Sequence, residues 1–294
     1  MVELIVTIGV PATGKSTWAE KISEREGYEW VSSDNIRKEN NYDISNADVF
    51  SMMFDRTVDA LDEGRSVIYD ATNLSSKRRH TLIENIKHAS ICDIVLFRCE
   101  VFVAPIDTIK KRNAKREGKD CVPEDVIDRM ITQFQFPQYF EGWDYININD
   151  NSVGKPVRLD IMKGFDQKSK YHSLDLYEHS RAVVEKAHKL SLPLVVSDAA
   201  WYHDIGKVYC QTIGKDGWAH YYGHENVSAY LFVLEYLNSR YYNFNDFLIM
   251  EFVLNYHMRP YNWTQKSYDK DKELFGENYI HILKLFHECD ISGH

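Results

Sequence analysis

A glycine-rich turn joins an apolar run to a helical segment near the start of this chain. The run covers residues 4–8, the turn reads Gly9-Val10-Pro11-Ala12-Thr13-Gly14, and the helical pattern begins at Lys15 and Ser16. A strand that turns directly into a helix through such a loop places several backbone N–H groups around one small space, where they bind phosphate. This phosphate loop, residues 9–16, therefore constrains the surrounding fold to a strand-and-helix sheet protein.

The side chains of the phosphate loop predict a nucleoside triphosphate site. Lys15 can reach the β- and γ-phosphates, and the Ser16 hydroxyl can bind Mg²⁺. An ordinary strand-turn-helix corner is the alternative interpretation. We expect ATP, or another nucleoside triphosphate, to be bound with Mg²⁺ by Gly9, Pro11, Ala12, Thr13, Gly14, Lys15, Ser16 and Thr17.

The chain divides into two parts with different patterns. Residues 1–150 alternate apolar strand-like runs with helical stretches, which predicts a doubly wound parallel sheet in an α/β domain. Strands are predicted at 4–8, 30–33, 66–69, 92–97 and 145–148, and helices at 15–26, 47–63, 76–88, 105–117 and from 123. Residues 151–164 begin in a stretch of Asn, Asp, Ser, Gly and Pro and are predicted to be a linker. Residues 165–294 are predicted to form an all-α domain with helices at 175–190, 194–204, 223–239, 244–258 and 279–290.

Composition limits the environment of the protein. The net charge is −9, and no apolar run approaches the length of a membrane span. The five scattered cysteines are typical of reduced thiols. We therefore expect a cytoplasmic protein, bacterial or in a phage-infected host, with no membrane association.

Two polar groups follow predicted strands of the first part. Asp34 can accept the proton of an attacking hydroxyl, and Arg37, one helical turn later, can bind a second phosphate. Asp34 as the N-cap of a helix is the alternative. Asp70 and Asn73 follow the third strand and are candidate substrate contacts, with simple turn chemistry as their alternative.

A basic segment lies at residues 110–119, where six lysines and arginines stand against one glutamate. Arg112 and Arg116 are four residues apart and are predicted to share one face of a helix. They can close over the phosphates of ATP as a lid. The alternative is a solvated charged face.

This ordered set of motifs resembles the kinase domain of phage-type polynucleotide 5′-kinases over residues 1–135. The resemblance implies that Lys15 and Ser16 bind ATP and Mg²⁺ and that Asp34 activates the 5′-hydroxyl of a polynucleotide. It further implies that Arg37 binds the phosphate next to that hydroxyl and that Arg112 and Arg116 contact the ATP phosphates. Lys15, Asp34 and Arg116 are then the catalytic residues.

The second part is rich in histidine, with ten of the twelve histidines after residue 151. His and Asp side chains on different helices can converge on divalent metals such as Mn, Fe, Co, Ni or Zn. Two such metals would acidify a shared water and hydrolyse a phosphoester. A core or surface position is the alternative for any one histidine. The candidate ligands are His179, His203, Asp204, His224, His257 and Asp290.

These positions and their neighbours, with the His203-Asp204 dipeptide at their centre, resemble the HD phosphohydrolase superfamily over residues 165–294. The resemblance implies that His179, His203, Asp204 and Asp290 are core metal ligands, with Asp204 catalytic, and that His224 and His257 hold a second ion. Lys207, His172 and His220 are candidate substrate contacts. Helix-terminal charge is the alternative for Lys207.

Together the two parts resemble end-healing polynucleotide kinase/phosphatase enzymes. This predicts a bifunctional enzyme that phosphorylates 5′-hydroxyl ends and removes a 2′,3′-cyclic, 2′- or 3′-phosphate from the other end. The expected partners are nucleic-acid ends, with RNA favoured and DNA as the alternative, a separate RNA ligase and, in a homo-oligomer, further copies of the chain. A nucleotide-metabolism enzyme with a small-molecule kinase and an HD nucleotidase or phosphodiesterase is one alternative. A nucleotide-binding regulator without turnover is the other.

Overall fold

The protein is described by a computed structural model over residues 2–92, 94–150, 156–169, 174–239 and 241–293. It forms two compact units, residues 1–127 with 137–152 and residues 128–136 with 153–294. Residues 151–155 of the predicted linker lie outside the described residues. Within the described residues, no helix is long and apolar enough to cross a membrane.

The unit boundary differs from the predicted one because a short segment returns to the helical unit. The Asn226 side chain donates to the Thr132 carbonyl oxygen at 2.8 Å, and Asn255 accepts from the Phe136 backbone N–H at 2.8 Å. The ring of Phe134 packs edge-on against Tyr230. Residues 128–136, predicted to belong to the first domain, are thus part of the second unit.

A parallel five-stranded sheet forms the centre of the first unit, as predicted. Its strands are β1 (Val2–Ile8), β2 (Glu29–Ser32), β3 (Val67–Asp70), β4 (Val95–Val103) and β5 (Tyr145–Asp150), in the order β2-β3-β1-β4-β5. Nearly every residue of β1 and all of β3 are buried, as expected for the interior of a parallel sheet. β4 begins and ends later than the predicted strand at 92–97.

The helices of the first unit follow the strands. They are α1 (Lys15–Glu26), α2 (Ser33–Glu39), α3 (Asn46–Asp62), α4 (Ser76–Ala89), α5 (Ile106–Asn113) and α6 (Glu124–Ile131), the last of which crosses the unit boundary. The prediction of one helix over 105–117 is wrong, since α5 ends at Asn113. The Asn113 side chain donates to the Val122 carbonyl at 2.6 Å and accepts from the Val122 N–H at 3.0 Å, which closes the chain into a loop.

The second unit is mainly helical. It contains α7 (Leu176–Lys189), α8 (Leu194–Tyr202), α9 (Lys207–Cys210), β6 (Thr212–Ile213), β7 (Ala219–His220), α10 (His224–Ser239), α11 (Phe244–Tyr256), α12 (Gln265–Phe275) and α13 (Glu277–Ser292). The antiparallel β6–β7 hairpin corrects the all-α prediction, and α12 was not predicted. α10 and α11 are buried on most sides, which explains why both are apolar around their circumference.

Candidate functional sites

The phosphate loop is shaped by close backbone approaches that only small residues permit. Gly9 has a φ of +150°, and a Cβ atom there would lie 2.4 Å from the Phe102 carbonyl oxygen. Gly14 caps α1 with a φ of 103°, and Ala12 has a φ of 65°. The Thr13 hydroxyl donates to the Val10 carbonyl at 2.8 Å. The loop is therefore held in a curled conformation at the N-terminus of α1, the arrangement that binds anions.

Lys15 occupies the centre of this loop. Its Nζ atom donates to the Val10 carbonyl at 2.9 Å, and its side chain is buried. Burial lowers the pKa of Lys15 to about 8, although the negative charges of Asp70 and Asp34 oppose that shift. Ser16 and Thr17 follow on the first turn of α1 and are exposed, so their hydroxyls are free to meet a ligand.

A cavity of about 420 Å³ opens beside the loop. Ala12, Thr13, Gly14 and Thr17 form one part of its lining. Trp18, Lys21, Arg112 and Arg116 form the rest, so three cations face a space bordered by the phosphate loop. This combination of backbone donors and positive side chains suits a polyphosphate.

Both predicted lid arginines line the cavity. They do not lie on one face of a single helix, as the sequence predicted. Arg112 is the penultimate residue of α5, whereas Arg116 lies beyond the end of that helix. The Arg116 backbone N–H donates to the Asn113 carbonyl at 2.9 Å, so the chain turns back on itself. The loop closed by Asn113 and Val122 is what directs Arg116 to the cavity.

Asp34 and Arg37 lie on α2, directly after β2. Ser32, not Asp34, is the N-cap residue of this helix, because the Ser32 hydroxyl accepts from the Asn35 N–H. The Arg37 guanidinium donates to Asp34 at 3.2 Å and to Asn46 at 3.0 Å. The Asp34 side chain is 63% exposed, so a substrate can reach its carboxylate.

Asp70 and Asn73 have partners within the protein. Asp70 is buried at the end of β3 and accepts from the Thr7 hydroxyl at 2.8 Å and from the Trp30 indole at 3.3 Å. The Asn73 amide donates to the Thr7 carbonyl at 2.8 Å, and Asn73 has a φ of 46°. Both residues therefore join the carboxyl ends of β1 and β3.

The six candidate metal ligands converge inside the second unit. His179 lies on α7, His203 and Asp204 follow α8, His224 begins α10, His257 follows α11, and Asp290 lies near the end of α13. All six are buried. We call these six residues the His/Asp cluster.

The His/Asp cluster contains two groups that share one carboxylate. Asp204 Oδ2 lies 3.3 Å from the Nε2 atoms of both His179 and His203, and Asp290 Oδ1 lies 3.2 Å from His179 Nε2. The other oxygen, Asp204 Oδ1, lies 3.1 Å from His224 Nε2 and 3.7 Å from His257 Nε2. Each group has the residue types and spacing to hold one metal ion.

The imidazole rings are oriented for metal binding by the backbone. The Nδ1 atoms of His179, His203, His224 and His257 lie 3.0, 2.7, 2.8 and 2.9 Å from the carbonyl oxygens of Gly293, Ala200, Tyr221 and Leu254. A carbonyl can only accept, so each Nδ1 carries a proton and each Nε2 is the nitrogen that faces the cluster. Among the described residues, the Nε2 atoms of His224 and His257 are buried without a hydrogen-bond partner. A metal ion would satisfy these atoms.

The charges of the cluster also favour a cation. Burial disfavours a charged His203, yet the carboxylates of Asp204 and Asp290 outweigh it and raise the pKa of His203 to about 10. Burial is likewise outweighed at the two carboxyls. His203, Lys207 and His179 hold the pKa of Asp204 well below its usual range, and His179 and His203 do the same for Asp290. The carboxylates thus favour protonated His179 and His203, and a bound metal ion would replace the positive charge of those protons.

Three further residues adjoin the cluster. Lys207 is buried at the start of α9, with Nζ 2.6 Å from Asp204 Oδ2 and 3.1 Å from Gln167 Oε1, so its charge pairs with a member of the cluster. The Tyr261 hydroxyl donates to Asp290 Oδ2 at 3.0 Å, and no motif in the sequence predicts this contact. His220 lies on β7, two residues before the turn into α10. His172 lies outside the described residues.

Comparisons with known proteins concern the first unit. Residues 4–137 match the family model described as an AAA domain. The bifunctional polynucleotide phosphatase/kinase of Schizosaccharomyces pombe is 26% identical over 144 residues, which are 48% of this chain and 32% of that protein. This chain thus spans about a third of the length of that curated relative.

Two solved structures are similar over half of the chain. A candidate kinase from Chloroflexus aurantiacus has 16% identity and a TM-score of 0.43, covering 50% of this chain and 84% of the other. A gluconokinase from Sinorhizobium meliloti has 18% identity and a TM-score of 0.35, covering 50% and 81%. The family match and the site geometry make the first unit a kinase-type P-loop domain, for which ATP and Mg²⁺ are implied.

Proposed function

We propose that the protein heals broken nucleic-acid ends, adding phosphate to a 5′-hydroxyl in the first unit and removing phosphate from a 2′- or 3′-position in the second. The observation that carries this proposal is the presence of two phosphate-directed sites in one chain. One is the cation-lined cavity at the phosphate loop, and the other is the buried His/Asp cluster.

The kinase step follows from the residues around the phosphate loop. Lys15 and the two lid arginines neutralise the charge that develops on the transferred phosphoryl group, and the Ser16 hydroxyl would hold Mg²⁺. Asp34 accepts the proton of the attacking hydroxyl through its exposed carboxylate. The Arg37 guanidinium pairs with Asp34 at 3.2 Å. When the acceptor binds, Arg37 exchanges this contact for one with the acceptor phosphate.

The hydrolytic step uses the His/Asp cluster as an HD-type phosphohydrolase site. The four histidines, Asp204 and Asp290 would hold two transition-type divalent ions, one for each group. Bound there, the ions supply an acidified water and a Lewis acid for the phosphoryl oxygens. Lys207 lies beside Asp204 and contributes a positive charge for the substrate phosphate.

The nature of the substrate follows from both sites together. Arg37 beside the catalytic carboxylate suits an acceptor that carries a second phosphate, as a polynucleotide end does and a free nucleoside does not. The polynucleotide phosphatase/kinase similarity of the first unit supports the same class. RNA ends with a 5′-hydroxyl and a 2′,3′-cyclic phosphate are the proposed substrates, and a separate RNA ligase is the proposed partner.

Label transfer tests the kinase half. The full chain is incubated with γ-labelled ATP, Mg²⁺ and a 5′-hydroxyl RNA or DNA oligonucleotide, with nucleosides as the competing class. We expect label on the oligonucleotide, more on RNA than on DNA. Transfer only to nucleosides or other small molecules would support a metabolic kinase, and ATP binding without transfer would support a regulator.

The substrate class is tested by replacing Arg37→Leu. We expect about a tenfold or larger loss of kcat/KM for an acceptor with a 3′-phosphate next to the 5′-hydroxyl, because a charged hydrogen bond contributes about 1.5–3 kcal/mol. A nucleoside acceptor should lose little. Arg56→Leu is the matched control, since Arg56 pairs with Glu39 near α2 without contacting Asp34. Equal losses on both acceptors would assign Arg37 a structural role.

The hydrolytic half is tested by phosphate release. RNA with a 2′,3′-cyclic, 2′- or 3′-phosphate is incubated with the protein after chelation and reloading with Mn²⁺, Ni²⁺, Co²⁺ or Zn²⁺. We expect hydrolysis of at least one of these ends with at least one metal. Turnover of mononucleotides alone would favour a nucleotidase, and no turnover of any ester would refute the hydrolytic proposal.

A further inference from the structure

A short hairpin leads the chain into the His/Asp cluster. β6 and β7 pair antiparallel, the turn contains Gly217 with a φ of +83°, and the Gly214 N–H donates to the Trp218 carbonyl at 2.8 Å. The hairpin ends at His220, and the next helix begins at His224, a member of the cluster. The hairpin therefore lies beside the site in the chain and does not belong to its ligand set.

Two aromatic rings stack at the end of this hairpin. The ring centroids of His220 and Tyr222 are 5.5 Å apart, and the ring planes differ by 3°. His220 is half-buried, whereas Tyr222 is 77% exposed. An exposed aromatic side chain in a parallel stack presents an open ring face to solvent. Such a face is the surface on which a planar ligand stacks.

The position of the stack depends on a glycine. A Cβ atom at Gly214 would lie 2.7 Å from His220 Nε2 and 2.7 Å from Asp216 Oδ1, so a larger residue there would displace the His220 ring or the Asp216 side chain. His220 is the last residue of β7, and Tyr222 lies in the turn that precedes α10. The end of the strand and this turn together place the two rings in parallel.

Tyr221, between the two stacked residues, connects them to the cluster. Its carbonyl accepts from His224 Nδ1 at 2.8 Å, and the Nζ atom of Lys207 lies 5.6 Å from its ring centroid. The Tyr221 hydroxyl donates to the Gln167 carbonyl and accepts from the Gln211 side chain. These contacts fix the stack next to the residues that would act on phosphate.

We propose that the His220–Tyr222 stack binds the nucleobase of the terminal nucleotide whose 2′- or 3′-phosphate is hydrolysed at the His/Asp cluster. This inference rests on the proposed function. The occupant is a nucleobase because the open face is a flat aromatic ring beside a phosphate-directed centre. Every base has a π-face, so the subsite favours the presence of a base over its identity.

A pair of substrates tests the subsite. Both are short RNAs with a 5′-phosphate, which removes the kinase acceptor, and with a 3′-phosphate on a terminal nucleotide that has its base or is abasic. We expect Tyr222→Ala to lower kcat/KM about tenfold for the base-bearing RNA, as expected for the loss of one base stack, and to leave the abasic RNA unchanged. Tyr222→Phe should keep the wild-type rates.

Controls separate stacking from structural damage. Tyr209→Ala removes another exposed aromatic side chain near the hairpin and should change neither rate. Gly214→Ala displaces His220 and should also lower the rate on the base-bearing RNA. An equal loss on both RNAs, or no loss on either for Tyr222→Ala, overturns the subsite while the hydrolytic function stands.

If the wild-type protein hydrolyses neither RNA, measurements of RNA binding test the stacking site instead. That result removes the proposed function, and the affinity for the two fluorescently labelled RNAs is then measured by anisotropy. A Tyr222→Ala affinity about tenfold weaker for the base-bearing RNA alone supports the stacking site. Unchanged affinity for both overturns it.

Discussion

Arg79 and Glu141 form an ion pair that is closed off from water. The guanidinium donates to the Glu141 carboxylate at 2.7 and 2.6 Å, and both side chains are at most 1% exposed. Arg79 also donates to the carbonyls of Asn73 and Leu74, and the Trp143 indole donates to Glu141 at 3.0 Å. The pair therefore secures the turn that follows β3.

Removal of one partner should destabilise the first unit strongly. Arg79→Leu leaves the Glu141 charge buried and unpaired, so we expect the free energy of unfolding to fall by about 3–5 kcal/mol. Arg56→Leu breaks the exposed pair with Glu39 and should cost at most about 1 kcal/mol. Urea unfolding measures both changes. A similar, small cost for the two variants would contradict a strongly coupled buried ion pair at Arg79 and Glu141.

Glu251 is a second buried acid. It is fully buried on α11, and neither of its carboxyl oxygens has a hydrogen-bond partner among the residues that the structure describes. Burial raises the pKa of Glu251 well above its usual value. The folded protein therefore keeps this proton at pH values where the unfolded chain has lost it.

Glu251→Gln should change how stability depends on pH. Above the pKa of the unfolded chain, the folded state binds one more proton, so the free energy of unfolding falls as pH rises, by up to about 1.4 kcal/mol per unit. Gln does not titrate, so the free energy of unfolding of the variant should rise relative to that of the wild type between pH 5 and pH 8. Urea titrations measure this difference. The exposed Glu273→Gln serves as the control. Parallel curves for Glu251→Gln and the wild type would contradict a protonated Glu251.

At the scale of elements, the His/Asp cluster depends on five helices and their ends. The Gly293 carbonyl, just after α13, accepts a hydrogen bond from His179 Nδ1 and so orients that ring. Asp290 lies on α13 itself. α13 packs against α7, α11 and α12. Metal ions that bind ligands from α7, α8, α10, α11 and α13 should stabilise these five helices together.

Metal loading should show two sites and raise stability. At a free metal concentration 100 times the dissociation constant, we expect the second unit to gain about 2.7 kcal/mol. His257→Asn should reduce the bound metal from about two equivalents to one, because His257 belongs to only one group. The exposed His281→Ala should keep both. Elemental analysis and thermal unfolding measure these effects, and identical loading of the His257 variant would refute the two-group arrangement.

At the scale of the whole molecule, the two sites lie in separate compact units. Asp34 is on α2 of the first unit, and Asp204 follows α8 of the second. Each carboxylate is joined to its own network of partners within its unit. The proposed activities should therefore be separable by mutation.

Asp34→Ala should lower the rate of phosphoryl transfer at least about 100-fold, because a positioned general base contributes a factor of about 10²–10⁴. The same change should leave the rate of hydrolysis unaltered. Asp204→Ala should do the reverse, since it removes the carboxylate common to both metal groups. Kinase and phosphatase assays on the same preparations measure both effects. Loss of both activities from either change would be incompatible with two independent sites.

Local features were predictable from the sequence because they depend on neighbouring residues. The strand, phosphate loop and helix of residues 2–26 follow from an apolar run, glycines at strained positions and a helical pattern. The parallel sheet follows from the alternation of strands and helices. The six residues of the His/Asp cluster were identifiable from their types and contexts, although their distances were not.

Contacts between distant residues were decided only by the tertiary structure. The Asn113–Val122 contacts end α5 early and bring Arg116 to the cavity by a loop. Asn255 and Asn226 draw residues 128–136 into the second unit. The partner of Arg79, Glu141, lies 62 residues away in the chain and likewise has no local signal.

The sequence alone thus determines which groups can bind phosphate and metal, since short motifs encode local backbone shape and side-chain chemistry. The tertiary structure alone determines which histidine nitrogen faces the cluster and that Asp204 is shared between two groups. Those properties depend on backbone carbonyls and carboxylate oxygens supplied by helices far apart in the chain. Their physical basis is the packing of those helices, which no single motif contains.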